Sequence, residues 1–486
     1  MSERFPEIAT VPLESFVHGE RVQMSRANTY PTFDPASGEV LAQVPIADAQ
    51  VVDRAIHSAK EGLATWAKVL PAERGRVLSR TAAIIRREAT RLSVIESIDS
   101  GKPLREAQGD IESCARYFEY YAGIADKLQG NTIPLGPDYV SFTLHEPVGV
   151  TAHIIPWNFP LVTTSRGLAP ALAAGCSTIV KPAEQTPLSA LALADILAEA
   201  GLPPGACNVV CGPGADTGRP LVAHADVAHV TFTGSVKTGK SVMVAAAANV
   251  ASVTLELGGK SPLTVLADAD IDAAVEGILK GIFTHAGQVC SAGSRLVVEK
   301  QVADHVIGCL VKRIANFRFG RGLDNPDLGP LISAPQLAKV AGMVEAARKR
   351  GVEILAGGEV RRVAGLEGGW FYGPTLIRIE DERDAIAQEE VFGPVLAIQV
   401  AEDFDHAVAL ANGTDYGLVA GIYTKDVSKA FRFAKSVDAG QVFINQFFAG
   451  GVETPFGGTR RSGFGREKGL EGLRSYLRVK SITARI

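Results

Sequence analysis

Between Pro147 and Gly259, β-type apolar runs alternate with helical patterns, and this alternation constrains the fold more than any other feature. Apolar runs of about five residues separated by helices of roughly 8–14 residues are typical of a parallel sheet covered by helices on both faces. Gly175 and Gly201 follow two of the helices, and Pro187 begins a third. Glycine is favoured just after a helix and proline at its start. The predicted strands are Val148–Ile155, Ser177–Val180, Asn208–Cys211, His229–Thr233 and Val253–Leu257, and the predicted helices are Val162–Ala174, Leu188–Glu199, Gly218–Ala225 and Gly239–Asn249.

The residues on either side extend this pattern. After Gly259 a second α/β region is expected, and residues 50–125 read as mainly helical. The predicted strands of the second region are Arg295–Val298, Val352–Leu355, Val395–Val400, Gly421–Thr424 and Gln441–Asn445. The predicted helices are Val51–Leu63, Ala72–Ile98, Arg105–Leu128, Ile271–Thr284, Val302–Phe317, His406–Ala411 and Val427–Val437.

Two segments, Tyr139–Glu146 and Tyr476–Ala484, fit neither region because they alternate polar and apolar side chains like half-exposed strands. Edge strands need a partner for their backbone groups, which indicates contact with another subunit. A ribbon formed by the two segments alone is the alternative.

Composition excludes several classes of protein. The 486 residues carry 49 basic and 53 acidic side chains, a formal charge of −4, with no basic tract that would bind nucleic acid. No apolar run reaches the roughly 18 residues that a membrane helix needs, and the first ten residues have no apolar signal core. Six cysteines are too few for a disulfide framework. We therefore expect a soluble, cytoplasmic chain that begins where it is written; no motif suggests a metal.

Cys290, in GQVCSAGSR, is the candidate nucleophile. Glycines on both sides would let a substrate approach closely, and a thiolate is a strong nucleophile. A lone cysteine is more often a small buried apolar residue. A cysteine hydrolase would also need a histidine base, for which only a distant residue such as His153 is available.

Glu256 and Asn158 both follow predicted strands, where parallel sheets place functional groups. Glu256, in LELGGK, lies between leucines that should raise the pKa of its carboxyl, as a general base requires. Asn158, in PWNFP, has an amide that can donate to a developing oxyanion. The alternatives are a loop cap for Glu256 and a plain turn residue for Asn158.

Phosphate-binding signals are weak when taken singly. The GPGADTG stretch is one residue too long for the dinucleotide fingerprint, and no Walker sequence is present. The segment Phe232–Gly239 follows a strand and begins a helix, whose N-terminus could hold a pyrophosphate. Lys181 and Glu184 end another strand, where a ribose could bind. Each of these also fits a purely structural role.

Seven motifs in order identify a resemblance to the aldehyde dehydrogenase superfamily that covers nearly the whole chain. Glu256 and Cys290 have the family's spacing of 34 residues. The resemblance implies an α/β fold with a Rossmann-like cofactor domain, an α/β catalytic domain and a small oligomerisation ribbon. The motifs are PWNFP, KPAEQTP, FTGS, LELGGK, GQVCSAGSR, EEVFGP and PFGGTRRSGFGRE.

The resemblance implies a role for each candidate. Cys290 would attack the aldehyde carbonyl, and the Asn158 amide with the Cys290 backbone N–H would hold the oxyanion. After hydride transfer, Glu256 would activate the water that hydrolyses the thioester. The cofactor implied is NAD, because a carboxylate at Glu184 would repel the 2′-phosphate of NADP. The implied cofactor-binding residues are Ile154, Ile155, Pro156, Trp157, Lys181, Glu184, Gly214, Gly234, Ser235, Leu257, Glu390 and Phe392.

The same resemblance implies the domain layout. Residues 1–123 and 148–257 would form the NAD-binding domain, and residues 258–469 the catalytic domain. Residues 124–147 and 470–486 would form the oligomerisation ribbon of a homodimer or homotetramer.

Two positions inform the substrate. Arg166 lies where the family's substrate tunnel is lined, and a guanidinium there would hold a carboxylate. The implied substrate is a semialdehyde or another carboxylate-bearing aldehyde, although the second arginine of succinate-semialdehyde enzymes is Thr284 here. Gly167 replaces a lysine that many relatives link to the counterpart of Glu467, which leaves a proton-relay role for Glu467 in doubt.

Phe159, Phe447 and Phe448 are candidate tunnel residues, and they would suit an aromatic or neutral aldehyde instead. A coenzyme-A-acylating enzyme is a further alternative, disfavoured by Glu256, which such enzymes commonly lack. A binding or structural protein with the same fold is disfavoured by the intact Cys290, Glu256 and Asn158.

Overall fold

The computed structural model describes residues 5–24 and 28–486, so residues 1–4 and 25–27 of the predicted NAD-binding domain lie outside it. Its helices are α1 (Pro6–Ala9), α2 (Ala49–Trp66), α3 (Pro71–Arg87), α4 (Ala89–Ser100), α5 (Leu104–Ile124), α6 (Pro160–Ala174), α7 (Leu188–Glu199), α8 (Arg219–Ala223), α9 (Val236–Ala247), α10 (Ile271–Phe283), α11 (Lys300–Ile314), α12 (Ala334–Lys349), α13 (Ala385–Gln388), α14 (Phe404–Asn412), α15 (Val427–Ser436) and α16 (Gly469–Arg474).

Strands alternate with these helices along most of the chain. They are β1 (Phe16–Val17), β2 (Glu20–Arg21), β3 (Thr29–Phe33), β4 (Val40–Pro45), β5 (Tyr139–Pro147), β6 (Val150–Ile154), β7 (Ser177–Lys181), β8 (Cys207–Val209), β9 (Val227–Thr233), β10 (Ser252–Glu256), β11 (Pro262–Val265), β12 (Arg295–Glu299), β13 (Glu353–Ala356), β14 (Val360–Arg361), β15 (Phe371–Tyr372), β16 (Thr375–Ile379), β17 (Val395–Ala401), β18 (Tyr416–Gly417), β19 (Val419–Tyr423), β20 (Gln441–Ile444), β21 (Thr459–Arg460), β22 (Gly463–Phe464) and β23 (Leu477–Arg485).

The first sheet has the strand order β2-β1-β8-β7-β6-β9-β10-β22, in which the five strands from β8 to β10 are parallel. The chain runs outward from β6 through β7 to β8 and then returns to the other side of β6 as β9. Ligands of open α/β sheets bind at such a reversal, beside the carboxyl ends of the strands. Residues after Ile154 and Thr233 therefore occupy the favoured position for a site.

The second sheet has the order β13-β16-β17-β12-β11-β19-β20 and is parallel except at β13. Its inner strands are continuous buried runs, as expected where helices cover both faces. Separate apolar cores lie on the faces of each sheet. The α/β class expected from the sequence is confirmed, whereas the domain bounds stay a prediction.

The two alternating segments pair with each other. β5 and β23 are antiparallel over their whole length, from Tyr139 opposite Arg485 to Pro147 opposite Leu477. The self-paired ribbon, which was the alternative interpretation, is what the structure shows. Contact of this ribbon with another subunit stays a prediction.

Two sequence expectations were wrong, and one helix was not predicted. The single helix expected at Ala72–Ile98 is two helices, α3 and α4, because the backbone of Glu88 (ψ 6°) leaves the helical region. The helix expected at Gly218–Ala225 is shorter in the structure, where α8 covers Arg219–Ala223. A π-helical turn at Gly214–Gly218 precedes it. Helix α12 was not predicted, although its buried Val340, Val344 and Ala347 recur at helical spacing.

Candidate active site

A cavity of about 170 Å³ opens between the two sheets, and all three catalytic candidates line it. The first sheet contributes residues that follow β6, β9 and β10, and the second contributes the loop before β12. The lining residues are Pro156, Trp157, Asn158, Thr233, Gly234, Ser235, Glu256, Gly258, Cys290, Gln336, Lys339, Glu390 and Phe392.

Cys290 is half-buried in the loop between α10 and β12. Burial raises the pKa of its thiol to about 12; Arg166 opposes that rise, while Glu256 and Glu390 add to it. Gln288 lies two residues before Cys290. The three residues that precede Gln288 have left-handed backbone: His285 (φ 47°), Ala286 (φ 54°) and Gly287 (φ 74°). A Cβ at Gly287 would lie 2.1 Å from the Gly393 carbonyl oxygen, so only glycine fits there.

Asn158 lies four residues after β6, and its side chain is almost fully buried. Its Nδ2 donates a hydrogen bond of 2.8 Å to the backbone carbonyl of Gln288, two residues before the candidate nucleophile. An amide nitrogen carries two hydrogens. One of them therefore stays available for an oxyanion in the cavity.

Glu256 is the last residue of β10 and is 1% exposed. Among the described residues, neither of its carboxylate oxygens has a hydrogen-bond partner. Burial raises the pKa of Glu256 well above its ordinary value, Glu467 adds to the rise, and Arg166 and Arg466 oppose it. A carboxylate in this state is a strong base once it is ionised.

Arg166, the proposed substrate anchor, already has a partner within the chain. Its Nε lies 2.5 Å from Oε2 of Glu467 in a buried ion pair, and its guanidinium carbon lies 5.0 Å from the centre of the Phe456 ring. A Cβ at Gly167 would meet the His153 ring at 2.6 Å. The His153 ring thus leaves no room for a side chain at position 167. The cation beside Glu467 is that of Arg166.

A larger cleft of about 810 Å³ lies between α8 and α9, and both Ile154 and Gly214 line it. Glu184 accepts a hydrogen bond of 2.5 Å from the Gly214 N–H. The Lys181 ammonium lies 3.4 Å from the same carboxylate oxygen, and burial lowers its pKa. These contacts hold the carboxylate beside Gly214, which lines the cleft.

Ser235 caps α9, where its Oγ accepts the Thr238 N–H at 3.2 Å. The remaining N–H groups of the first turn have no helical partner and suit a phosphate. Gly234 is constrained by Phe232, whose ring would lie 2.7 Å from an added Cβ. The Gly234 N–H itself donates to the Glu256 carbonyl at 3.0 Å, so the N–H groups open to a ligand are the remaining ones of the first turn of α9.

Glu390 and Phe392 line the cavity from the second sheet. Glu390 accepts the Gly259 N–H at 3.0 Å, and an added Cβ at Gly258 would lie 2.2 Å from its other oxygen. Phe392 has left-handed backbone (φ 60°), and its ring packs edge-on against the Trp157 ring with 5.2 Å between the ring centres.

Gln336 and Lys339 were missed by the sequence reasoning. Gln336 Nε2 donates to the Phe392 carbonyl at 2.7 Å, and Lys339 Nζ donates to the Glu390 carbonyl at 3.1 Å. Their spacing of three residues places them on one face of α12. That spacing was visible in the sequence, but only the fold shows that the face meets the cavity.

Several predicted site residues lie outside the cavity lining. Ile155 and Leu257 are buried core residues. Phe447 is also core: it is 4% exposed and packs against Gly281, Gly293 and Gly421.

Two other phenylalanines are half-buried. Phe448 stacks obliquely on Phe447 at 4.9 Å between ring centres. Phe159 lies beside the site, with the buried Lys102 ammonium 4.3 Å from its ring centre and the His285 ring at 5.9 Å.

Within the described ranges, no group of three or more His, Cys, Asp or Glu side chains is placed to hold a metal ion. No helix in that part of the chain is both long and apolar enough to cross a membrane.

Comparison with known proteins shows which family of proteins this chain resembles. The model of the aldehyde dehydrogenase family matches residues 22–482. The betaine aldehyde dehydrogenase of Staphylococcus aureus, solved in complex with NAD+, is similar to this chain at 37% identity and a TM-score of 0.97, over 100% of this chain and 97% of that one. PnpE from Pseudomonas sp. WBC-3 is similar at 36% identity and a TM-score of 0.95, over 97% of both chains.

Proposed function

The chain belongs to the aldehyde dehydrogenase family, and from that premise we propose that it oxidises an aldehyde to the carboxylic acid with NAD. Water, activated by Glu256, releases the product. The observation that carries the proposal is the convergence of Cys290, Asn158 and Glu256 on one cavity. A nucleophile, an oxyanion donor and a base are the three groups that acyl chemistry of this kind requires.

Acylation begins at Cys290. Its Sγ attacks the aldehyde carbon, and the negative charge that develops on the carbonyl oxygen is stabilised by the free Asn158 N–H and the Cys290 backbone N–H. Burial raises the pKa of the thiol, so the thiol must first lose its proton, which passes to solvent, before Sγ attacks.

The residues around the two clefts fit a dinucleotide. The remaining N–H groups of the first turn of α9, just after Ser235, suit the pyrophosphate, Glu184 a ribose, and Glu390 the second ribose. NAD bound there would accept the hydride that leaves the carbon attached to Cys290. The S. aureus relative was solved with NAD+.

Deacylation depends on Glu256. Its unpartnered oxygens can accept a proton from water, and the hydroxide equivalent then attacks the thioester carbon. The Cys290 thiolate leaves, and the acid product forms. This base argues against a coenzyme-A-acylating enzyme, in which a thiol would take the place of water.

We propose a carboxylate-bearing aldehyde as the substrate. Nε of Arg166 faces Glu467, and a guanidinium carries four further N–H groups on its two Nη atoms, with which it could bind a carboxylate. The S. aureus relative is named for betaine aldehyde, a quaternary ammonium cation. The positive charge of Arg166, which acts on the Cys290 thiol, disfavours such a substrate here.

A neutral or aromatic aldehyde is the second candidate. The ion pair with Glu467 offsets the charge of Arg166, which weakens its attraction for a carboxylate. The half-buried rings of Phe159 and Phe448 would provide apolar contacts.

A panel assay tests both parts of the proposal. NADH formation at 340 nm would be measured with carboxylate-bearing, neutral, aromatic and quaternary ammonium aldehydes, each with NAD and NADP. A higher kcat/KM with NAD and with the carboxylate class supports the roles of Glu184 and Arg166. A preference for neutral aldehydes would retain the enzyme class and remove the anion-binding role of Arg166. No reduction of either cofactor across the panel would reject the function.

A further inference from the structure

Gln288 is a fully buried amide within the nucleophile loop, and every polar atom of its side chain is bonded. Its Oε1 accepts the Ile332 N–H at 2.8 Å. Its Nε2 donates to the His285 carbonyl at 3.1 Å and to the Pro330 carbonyl at 3.4 Å. A backbone N–H can only donate and a carbonyl can only accept, so these partners fix the orientation of the amide.

These bonds brace a strained turn. His285 and Ala286 hold left-handed backbone, in which the Cβ atom of each residue is crowded against the following carbonyl oxygen. Such a turn persists only where its surroundings fix it. Gln288 bonds to the turn from one side, and the Glu106 carboxylate accepts the His285 N–H at 2.9 Å from the other.

The backbone carbonyl of Gln288 also accepts the amide of Asn158 at 2.8 Å. That bond sets the rotation of the amide about the Cβ–Cγ bond, and with it the direction of the second N–H. Since the carbonyl belongs to the braced residue, the bonds of the Gln288 side chain determine where the Asn158 donor points.

We propose that Gln288 is a positioning residue for the oxyanion donor: its side-chain amide fixes the backbone carbonyl that orients Asn158. The inference rests on the proposed function, because it concerns the same oxyanion. A donor that is fixed in advance stabilises the developing charge without reorganisation, which is the source of its catalytic effect.

The test is Gln288→Met, which keeps the side-chain length and removes all of its hydrogen bonds. We expect the single-turnover rate of NADH formation to fall about 10- to 100-fold, with the Kd for NAD unchanged. The matched control is Gln399→Met: Gln399 is also buried, on β17, and its Oε1 accepts Nη1 of Arg295, a residue of β12 rather than of the loop, at 3.3 Å. This control should retain the wild-type rate.

A double-mutant cycle separates positioning from general damage to the loop. In the Asn158→Ala background, Gln288→Met should lower the rate less than threefold further, because the donor that it orients is gone. Fully additive losses would overturn the proposal, as would a rate for Gln288→Met equal to that of Gln399→Met.

Gln288→Glu provides a second route if Gln288→Met does not fold. An ionised carboxylate repels the carbonyls of His285 and Pro330, whereas a protonated one donates to one of them. The rate of Gln288→Glu relative to wild type should therefore rise as the pH falls. A pH-independent ratio would contradict the proposal, and an inactive wild type would reject the proposed function instead.

Discussion

The two sides of the catalytic cavity are built in opposite ways. On the side of Asn158 and Cys290, neutral hydrogen bonds join the oxyanion donor to the loop, with Gln288 at the centre. On the side of Glu256, both carboxylate oxygens lack partners, and the nearby interactions are between charges.

The difference follows from what each group must do. An oxyanion donor works best when its geometry is fixed before the reaction. A general base must change its protonation state, and every hydrogen bond to one form would favour that form. The Arg166–Glu467 pair instead adjusts the charge around Glu256 while leaving its oxygens free.

Removing the nucleophile should have the largest effect. Cys290→Ala should lower kcat for aldehyde oxidation more than ~10⁴-fold and leave no initial burst of NADH, because no covalent intermediate forms. Cys309→Ala is the control, since Cys309 lies on α11 and is not one of the residues that line the cavity. Burst formation by Cys290→Ala would show that another group attacks the aldehyde.

Asn158→Ala removes the hydrogen-bonded donor. We expect the rate of hydride transfer to fall about 10²- to 10³-fold, with little change in NAD binding. Stopped-flow measurement of NADH formation checks this. A loss below about threefold would mean that the backbone N–H of Cys290 alone stabilises the oxyanion. The hydrogen bonds that fix Asn158 would then have no role in catalysis.

The ionisation of Cys290 gives a pH prediction. Because burial raises the pKa of the thiol to about 12, the thiolate fraction in the free protein should rise about tenfold per pH unit between pH 7 and 9. The rate of alkylation by iodoacetamide, followed by peptide mass spectrometry, should rise in proportion. A plateau below pH 9 would reveal a stronger activating charge.

Removing the cation from the Glu256 side should have the smallest effect. Arg166 favours the ionised forms of Glu256, Glu467 and Cys290, so Arg166→Met should raise all three pKa values. With a neutral aldehyde, the acid limb of the kcat profile should move to higher pH by about one unit. Arg166→Lys should move it less, because it keeps the charge. An unshifted limb would remove the electrostatic role of Arg166.

The two sides also differ in how far the sequence predicted them. Glu256, Asn158 and Cys290 carry chemistry in short motifs, and strand periodicity located the ends of β6 and β10. The parallel order of the first sheet then follows from the alternation of strands and helices. Local signals of this kind survive in a single sequence.

The contacts that support those residues did not emerge from the sequence. Glu106, Gln288 and Ile332 are far apart along the chain, and their bonds depend on how the two sheets meet. The partner of Arg166 was likewise hidden, because Glu467 lies 301 residues away. From its position in the sequence Phe447 was predicted to line the substrate tunnel. In the structure its ring packs into the space left by three glycines.

The most direct test of the account is single-turnover analysis of Glu256→Gln, which keeps the side-chain shape and removes the base. Attack and hydride transfer do not need Glu256, so NADH should appear in a burst of about one equivalent per subunit. Steady-state turnover should then fall about 10²- to 10⁴-fold, because the thioester is not hydrolysed. Turnover near the wild-type rate, or the absence of a burst, would contradict the assignment of Glu256 to deacylation alone.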